Sequence, residues 1–166
     1  MNNKSKWDSL TLKEKLKMKT ILNFISEWIW QLPQNLCGLI FKYLSINNRI
    51  DKVETEVTKS LGVEALVKKS SGSVSLGKYI FLSPIGSKDN FTIEHECGHN
   101  IQSKKWGPLY LIVFGIPSIL HASLNGLLGC CIRNGEYNYY HFYTEASANK
   151  EISSYKFEKN IGKEEI

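Results

Sequence analysis

FTIEHECGHNIQSKKW, residues 91–106, is the stretch of this chain around which we expect the fold to be organised. A Gly-Pro pair follows it, so we predict a helix of about four turns that ends before that pair. His95 and His99 are four residues apart, which places both imidazoles on one helix face, within reach of one metal ion. Glu96 projects beside that metal, where its carboxylate can take a proton from a water molecule.

The alternative interpretation of this H-E-x-x-H pattern is a surface helix with an accidental histidine pair. The two interpretations differ in burial, because a metal centre is enclosed and a chance pair is solvated. On a helix, Cys97 lies on the side away from the two histidines. We therefore expect the Cys97 side chain to pack in the core.

A β-hairpin is predicted upstream of the motif helix. Residues 63–69 form its first strand, residues 70–73 its turn and residues 74–83 its second strand. Four apolar residues of the second strand share one face at period two: Val74, Leu76, Ile80 and Leu82. A mainly helical chain with one small hairpin beside the motif helix belongs to the α+β class.

The most hydrophobic part of the chain is residues 108–132, which follow the motif helix. Its length would allow one helix to cross a bilayer. Gly115 and Pro117 interrupt it, however, and basic residues flank both ends, whereas a single span favours one side. We therefore favour a buried core, or packing at a membrane interface, over a true span. His121, within this run, is interpreted as a core or lining histidine.

The N-terminal region is predicted to be helical and basic. A helix is expected over residues 9–32, with Thr11 and Glu14 as a capping box and Pro33 as its end or kink. Residues 1–20 contain six lysines against two acidic residues, a net charge of +4. Such a helix suits an anionic membrane surface, or it is a solvated helix face. No nucleic-acid-binding motif accompanies the lysines, so nucleic acid is not an expected partner.

The chain of 166 residues is long enough for one compact unit and too short for two well-packed domains. Within that unit, residues 1–46 are assigned to basic amphipathic helices and residues 47–166 to a minimal metal-binding domain. The four cysteines have no regular spacing, which favours a reducing compartment over a disulfide framework. No secretory signal is predicted, because polar residues interrupt the first apolar stretch. We expect a cytoplasmic protein, or one attached to a membrane on its cytoplasmic side.

A catalytic zinc ion needs a third protein ligand and one open position. Glu145 is the preferred candidate, because it opens a second helical segment 46 residues after His99. Asn149 follows one turn later on the same face, where it can hold a ring nitrogen of a metal-bound histidine. His141 is the rival, since a helix that begins earlier would place it on that face and give a three-histidine site. Thr144 resembles an N-cap that would leave His141 outside the helix.

The two segments resemble the gluzincins, the thermolysin-like metallopeptidases, in which H-E-x-x-H and a downstream E-x-x-x-D hold zinc. The resemblance implies that His95, His99 and Glu145 are zinc ligands and that Glu96 is the general base. HECGHNIQ and FYTEASAN are also similar to segments of small uncharacterised bacterial proteins, H-E-x-G-H-x-x-Q and F-Y-T-E-x-x-A-D. This chain departs from both patterns at Asn149, whose neutral amide raises the basicity of its histidine partner less than a carboxylate would.

Three functions are consistent with the sequence. The first is a zinc-dependent peptidase with a zincin-like fold and a peptide or protein substrate, in which Tyr143 or His141 stabilises the oxyanion. In such folds a strand beside the motif helix binds the substrate backbone, a place that residues 74–82 would take. The second is a non-catalytic protein in which zinc joins two helices. The third is a membrane-associated structural or interaction protein without metal.

Overall fold

The computed structural model describes residues 11–45, 51–69, 71–128 and 139–164. In these residues it contains α1 (Leu12–Phe24), α2 (Leu32–Ser45), α3 (Glu56–Leu61), α4 (Asn90–Trp106), α5 (Ile116–Leu128) and α6 (Tyr143–Glu164). One sheet is formed by β1 (Lys52–Val53), β2 (Glu64–Val67), β3 (Val74–Leu76) and β4 (Tyr79–Leu82). A mostly helical chain with one small mixed sheet confirms the α+β class.

The sheet has the strand order β1-β2-β4-β3. β2 pairs with β4 in parallel, whereas β1 with β2 and β3 with β4 are antiparallel pairs. The predicted hairpin between residues 63–69 and 74–83 is therefore wrong. Gly77 has a φ of +61°, a conformation that glycine adopts easily, and it turns the second predicted strand back on itself. That segment is itself a hairpin, with β3 at one edge of the sheet.

The two faces of the sheet pack against different helices. Ile80 and Leu82 join a core cluster with residues of α4 and α6, whose buried members are Leu61, Ala65, Ile80, Leu82, Ile93, Cys97, Ile101 and Ile152. The other face forms a second cluster of Leu66, Tyr79 and Phe81, against which Phe41, Val74 and Leu76 pack. The prediction that Val74 and Leu76 share a face with Ile80 and Leu82 is wrong, because the turn at Gly77 reverses the chain. The core position predicted for Cys97 is confirmed.

α4 and α6 pack closely along the side chains that form the site described below. At Gly98 the two backbones approach so closely that a Cβ atom would clash with the carbonyl oxygen of Ala148. Ala148 itself is fully buried, and Ile152 one turn later enters the core cluster. The absence of a side chain at Gly98 therefore allows the first two turns of α6 to lie against the motif helix.

The N-terminal helices follow the predicted pattern in the described residues. The Glu14 carboxylate accepts a hydrogen bond from the Thr11 backbone N–H at 2.8 Å, and the Thr11 hydroxyl oxygen accepts from the Glu14 N–H, so the capping box is confirmed. The chain continues as a π-helix over Ile25–Trp30, and Pro33 lies in the first turn of α2, where its missing N–H costs nothing. No residue of α1 is buried.

The hydrophobic run after α4 is divided into three short segments. A 3₁₀ turn (Gly107–Leu109) and a π-helix (Leu111–Gly115) precede α5. Tyr110 and Phe114 are buried, but six large apolar side chains among the described residues of the run are more than half exposed: Leu109, Ile112, Ile116, Ile119, Leu120 and Leu124. The buried-core interpretation is therefore wrong for most of this run. Among the described residues, no helix has the length and apolar character needed to cross a membrane.

Some predicted features lie outside the described residues. They include residues 1–10, with Lys4 and Lys6 of the basic region and the start of the helix predicted over residues 9–32, and residues 129–132, the end of the hydrophobic run, with two of the four cysteines, Cys130 and Cys131.

Candidate metal centre

Three predicted ligands meet where α4 faces the first turn of α6. His95 and His99 lie one turn apart on α4, and their ring centroids are 4.9 Å apart. The Nε2 atoms of His95 and His99 are 2.9 and 3.3 Å from the same oxygen of Glu145, Oε2. One ligand atom from each residue lies within 4.8 Å of the others. The i and i+4 spacing places the imidazoles, and the packing of α6 brings the carboxylate between them.

The centre is enclosed by the protein. His95 and His99 are each 6% exposed, and Glu145 is 1% exposed. A chance histidine pair on a solvated helix would leave both rings in water, so the surface-helix alternative does not describe this site. Burying three ionisable groups is costly unless they bind one another or a cation.

The second nitrogen of each imidazole has its own partner. His95 Nδ1 is 2.8 Å from Asn149 Oδ1, and His99 Nδ1 is 2.8 Å from Gln102 Oε1. Amide oxygens accept hydrogen bonds, so both Nδ1 atoms carry a proton. Each Nε2 atom faces Glu145 Oε2, where it donates to the carboxylate when it is protonated and offers its lone pair to a cation when it is not. Asn149 thus lies where the sequence placed it. Gln102, missed as a site residue, corresponds to the glutamine of the H-E-x-G-H-x-x-Q pattern.

The orientation of Glu145 is fixed through its other oxygen. Oε1 accepts hydrogen bonds from the Ser118 hydroxyl at 2.5 Å and from the Thr144 hydroxyl at 2.9 Å. Oε2 is thereby directed at the imidazoles. Thr144 lies inside α6, which begins at Tyr143, so its prediction as the N-cap is wrong. Ser118 comes from α5, and nothing local in the sequence connected it with the site.

The charges of the centre support each other. Burial lowers the pKa of His95, but hydrogen bonds with Glu145 and Asn149 outweigh this effect, and the net result is a raised pKa. Burial favours the neutral form of Glu145, but hydrogen bonds from His95 and His99 hold the pKa of that carboxyl well below its usual range. Glu145 is therefore an anion whose environment suits a cation between the two imidazoles.

Glu96 lies next to this centre in a different environment. It is 6% exposed, and its Oε2 atom is buried with no hydrogen-bond partner among the described residues. Burial raises the pKa of Glu96, although the two neighbouring histidines act in the opposite direction. General bases are often carboxylates of this kind, which are buried, have an oxygen without a hydrogen-bond partner and have a raised pKa.

A cavity of about 560 Å³ opens beside the centre. His95, Glu96, His99 and Glu145 line it, together with residues of the helical segment from Tyr110 to Asn125. All three residues of β3, an edge strand of the sheet, also line it. A volume of this size is typical of sites for small ligands or for a few residues of a peptide.

The two residues predicted to stabilise an oxyanion lie elsewhere. His141 is exposed on a 3₁₀ turn, and neither it nor Tyr143 lines the cavity. The Tyr143 hydroxyl donates a hydrogen bond to the Val113 carbonyl at 2.6 Å. Tyr140 lines the cavity instead, with its ring centroid 5.2 Å from that of His95. Burial and nearby carboxylates raise the pKa of the Tyr140 phenol, which keeps it protonated.

The donor set fits a zinc ion. Two histidine nitrogens and one carboxylate oxygen are ligands of catalytic zinc sites, and hydrogen bonds to the second nitrogen of each histidine are usual there. Among the described residues, the one group of three or more potential ligands with converging atoms is His95, His99 and Glu145.

No protein-family model matches this chain, and comparisons with curated proteins and with solved structures return no match. The gluzincin resemblance therefore stays a prediction that depends on two short segments.

Proposed function

We propose that this protein is a zinc-dependent peptidase. The observation that supports it most is the placement of a buried Glu96 carboxylate beside the converging atoms of His95, His99 and Glu145, in the lining of a cavity. A purely structural metal site needs no unsatisfied carboxylate next to the ligands and no open cavity over them.

His95, His99 and Glu145 would hold the zinc ion. When bound there, zinc supplies a Lewis acid that polarises a carbonyl and lowers the pKa of water. The protein's part is to keep the three donors in place. Asn149 and Gln102 fix the histidine rings, and the hydroxyls on Glu145 Oε1 fix the carboxylate.

Glu96 would be the general base. It accepts a proton from the attacking water and passes it to the leaving amine. Its buried Oε2 atom has no hydrogen-bond partner among the described residues, and burial raises its pKa, which makes the carboxylate a better proton acceptor.

The substrate would be an extended peptide. β3 lines the cavity as an edge strand, and such a strand can pair with a peptide backbone. Tyr140, which stays protonated and lines the same cavity, replaces Tyr143 and His141 as the candidate donor to the oxyanion. A strand that lines the cavity beside the motif helix supports the zincin-like interpretation.

The test is the activity of Glu96→Gln against a quenched fluorescent peptide library, with metal content measured on the same sample. We expect turnover to fall by 10³ or more, on the order of the effect of losing a general base and its charge, while bound zinc stays near the wild-type level. Glu94→Gln is the matched control. Glu94 lies on the same helix and forms a surface ion pair with Lys156 at 2.8 Å, so its substitution should leave turnover unchanged. Full activity of Glu96→Gln would contradict the proposed role.

A second function is favoured by one observation. The converging ligands join the middle of α4 to the first turn of α6, so a zinc ion there would tie two helices together. A zinc staple without catalysis predicts that chelation unfolds the chain and that no peptide of the library is cleaved. A peptidase predicts cleavage that Glu96→Gln abolishes while zinc remains bound.

A further inference from the structure

At its start, α2 directs polar side chains towards the interior of the protein. Gln31, Gln34 and Asn35, at its start, are fully buried. The Ser103 hydroxyl donates to Gln31 Oε1 at 2.6 Å, the Gln34 amide donates to the Gly107 carbonyl, and Asn35 Oδ1 accepts from the Lys78 N–H at 2.8 Å. These polar groups bind other parts of the chain, so the inner face is hydrophilic around the start of α2, whereas Phe41 further along packs on the second apolar cluster.

The outward face of α2 is apolar. Its exposed residues include Leu36, Leu39, Ile40, Tyr43 and Leu44, each between 44% and 75% exposed. A helix on the surface of a water-soluble protein has the opposite arrangement, with its apolar stripe towards the core. The start of α2 thus has its polar groups inward, and the whole helix has apolar side chains outward.

The segment that ends in α5 has the same inversion. On its inner side, the Ser118 hydroxyl donates to Glu145, and the buried His121 ring stacks on Phe142 with centroids 4.0 Å apart. Its outward side presents apolar residues that are 53% to 67% exposed: Ile112, Ile116, Leu120 and Leu124. Residues 107–128 include no Asp, Glu, Lys or Arg. Two separate elements therefore place polar groups inward and apolar groups outward.

The residues around Gly107 connect the two elements. The Trp30 ring, just before α2, occupies the space that a side chain at Gly107 would need, and its Nε1 donates to the Lys104 carbonyl at 3.0 Å. Gly107 begins the run that continues into α5. Trp30 and Trp106 are both more than 40% exposed at this junction, and indole rings favour the level of lipid headgroups.

Charge distinguishes the occupants that could cover these apolar faces. The chain has a net charge of +5, and α1, which leads into α2, contains four lysines and one glutamate. A second copy of the chain would bring like charges together. A bilayer with anionic headgroups offers both the apolar phase for the exposed side chains and the opposite charge for the lysines.

We propose that the outward faces of α2 and α5 contact the acyl chains of an anionic lipid bilayer, with the lysines of α1 at its headgroups. The inverted pattern, unfavourable in water, is favourable at that position, because the apolar side chains leave water and the polar ones stay bonded within the protein. Since residues of α5 also line the cavity, the metal centre would lie next to the lipid surface. This inference does not depend on peptidase activity.

The test is flotation of the full chain with vesicles on a density gradient. We expect the wild type to float with phosphatidylcholine vesicles that contain a quarter phosphatidylglycerol, and to float less with pure phosphatidylcholine. We expect Leu36→Gln/Ile40→Gln on α2 and Ile116→Gln/Leu120→Gln on α5 each to reduce the floating fraction at least fivefold. All four side chains are exposed, so circular dichroism should show an unchanged helix content.

Phe157→Gln is the matched control, because Phe157 is a large apolar residue of α6, 68% exposed, outside both faces. It should float as the wild type does. A wild type that stays at the bottom of both gradients overturns the proposal, as does flotation that neither double variant changes. A vesicle-free dimer in light scattering that the double variants dissociate would assign the faces to a second copy instead and also overturn it.

Discussion

α4 and α1 are both regular helices, but different forces hold them in place. Ten of the 17 residues of α4 are buried, and several of these are polar groups bonded to other elements. α1 has 13 residues, none of them buried, and its start is fixed by its own capping box. The stability of α4 therefore depends on tertiary contacts, whereas that of α1 depends on local ones. Substitutions should therefore have large effects along α4 and its partner α6, and small effects on α1.

The largest effect is expected at Gly98, where α4 touches the backbone of α6. Gly98→Ala introduces a Cβ that clashes with the Ala148 carbonyl, so the helices must separate. We expect a loss of about 3 kcal/mol in the free energy of unfolding, measured in urea. Gly126→Ala is the control, because a Cβ at that helical position meets no atom, and it should gain roughly 0.5 kcal/mol. Equal effects of the two changes would break the comparison.

The next effect is expected at Tyr140, beside the buried centre. Tyr140→Phe removes the proposed oxyanion donor, and kcat for peptide hydrolysis should fall by roughly 10² with little change in KM. Tyr143→Phe provides the control, since the Tyr143 hydroxyl is bonded to the Val113 carbonyl and does not line the cavity. If Tyr143→Phe instead lowered kcat and Tyr140→Phe did not, the assignment would be reversed.

A smaller effect is expected at Asn149, which holds the His95 ring from α6. Asn149→Leu removes the acceptor for His95 Nδ1, and zinc affinity should fall on the order of tenfold in competition with a chromophoric chelator. Asn149→Asp should bind zinc more tightly than the wild type, because a carboxylate raises the basicity of the imidazole further. An unchanged affinity in both variants would show that this contact does not support the metal.

The smallest effect is expected on α1. Leu16 is 63% exposed, and its replacement by glutamine removes no buried contact. In the absence of lipid, Leu16→Gln should change the free energy of unfolding by less than about 0.5 kcal/mol. A loss as large as that of Gly98→Ala would show that α1 is packed as tightly as α4.

The sequence predicted the features that depend on near neighbours in the chain. The capping box of α1 and the extent of the motif helix follow from residues three or four apart. The meeting of Glu145 with His95 and His99 was also expected, because few residue types bind zinc and the chain offers few candidates for the third ligand. In each case a short sequence pattern predicts how the side chains are arranged.

The errors concern contacts between distant residues. Residues 74–82 alternate as one strand does, but a turn at Gly77 divides them into β3 and β4, and β4 pairs in parallel with the more distant β2. The bond from Ser118 to Glu145 joins residues 27 apart, and no local pattern indicates it. For the hydrophobic run after α4, the sequence leaves a buried core and packing at a membrane interface as alternatives, because hydropathy gives no information about which way a side chain points.

The account depends most directly on zinc at the centre formed by His95, His99 and Glu145. The decisive measurement is the metal content, by mass spectrometry, of protein purified without added metal, for the wild type and for His95→Ala and Glu145→Ala. We predict one zinc ion per chain in the wild type and a loss of nearly all of it in both variants. A wild type without stoichiometric zinc, or variants that retain it, would contradict the account.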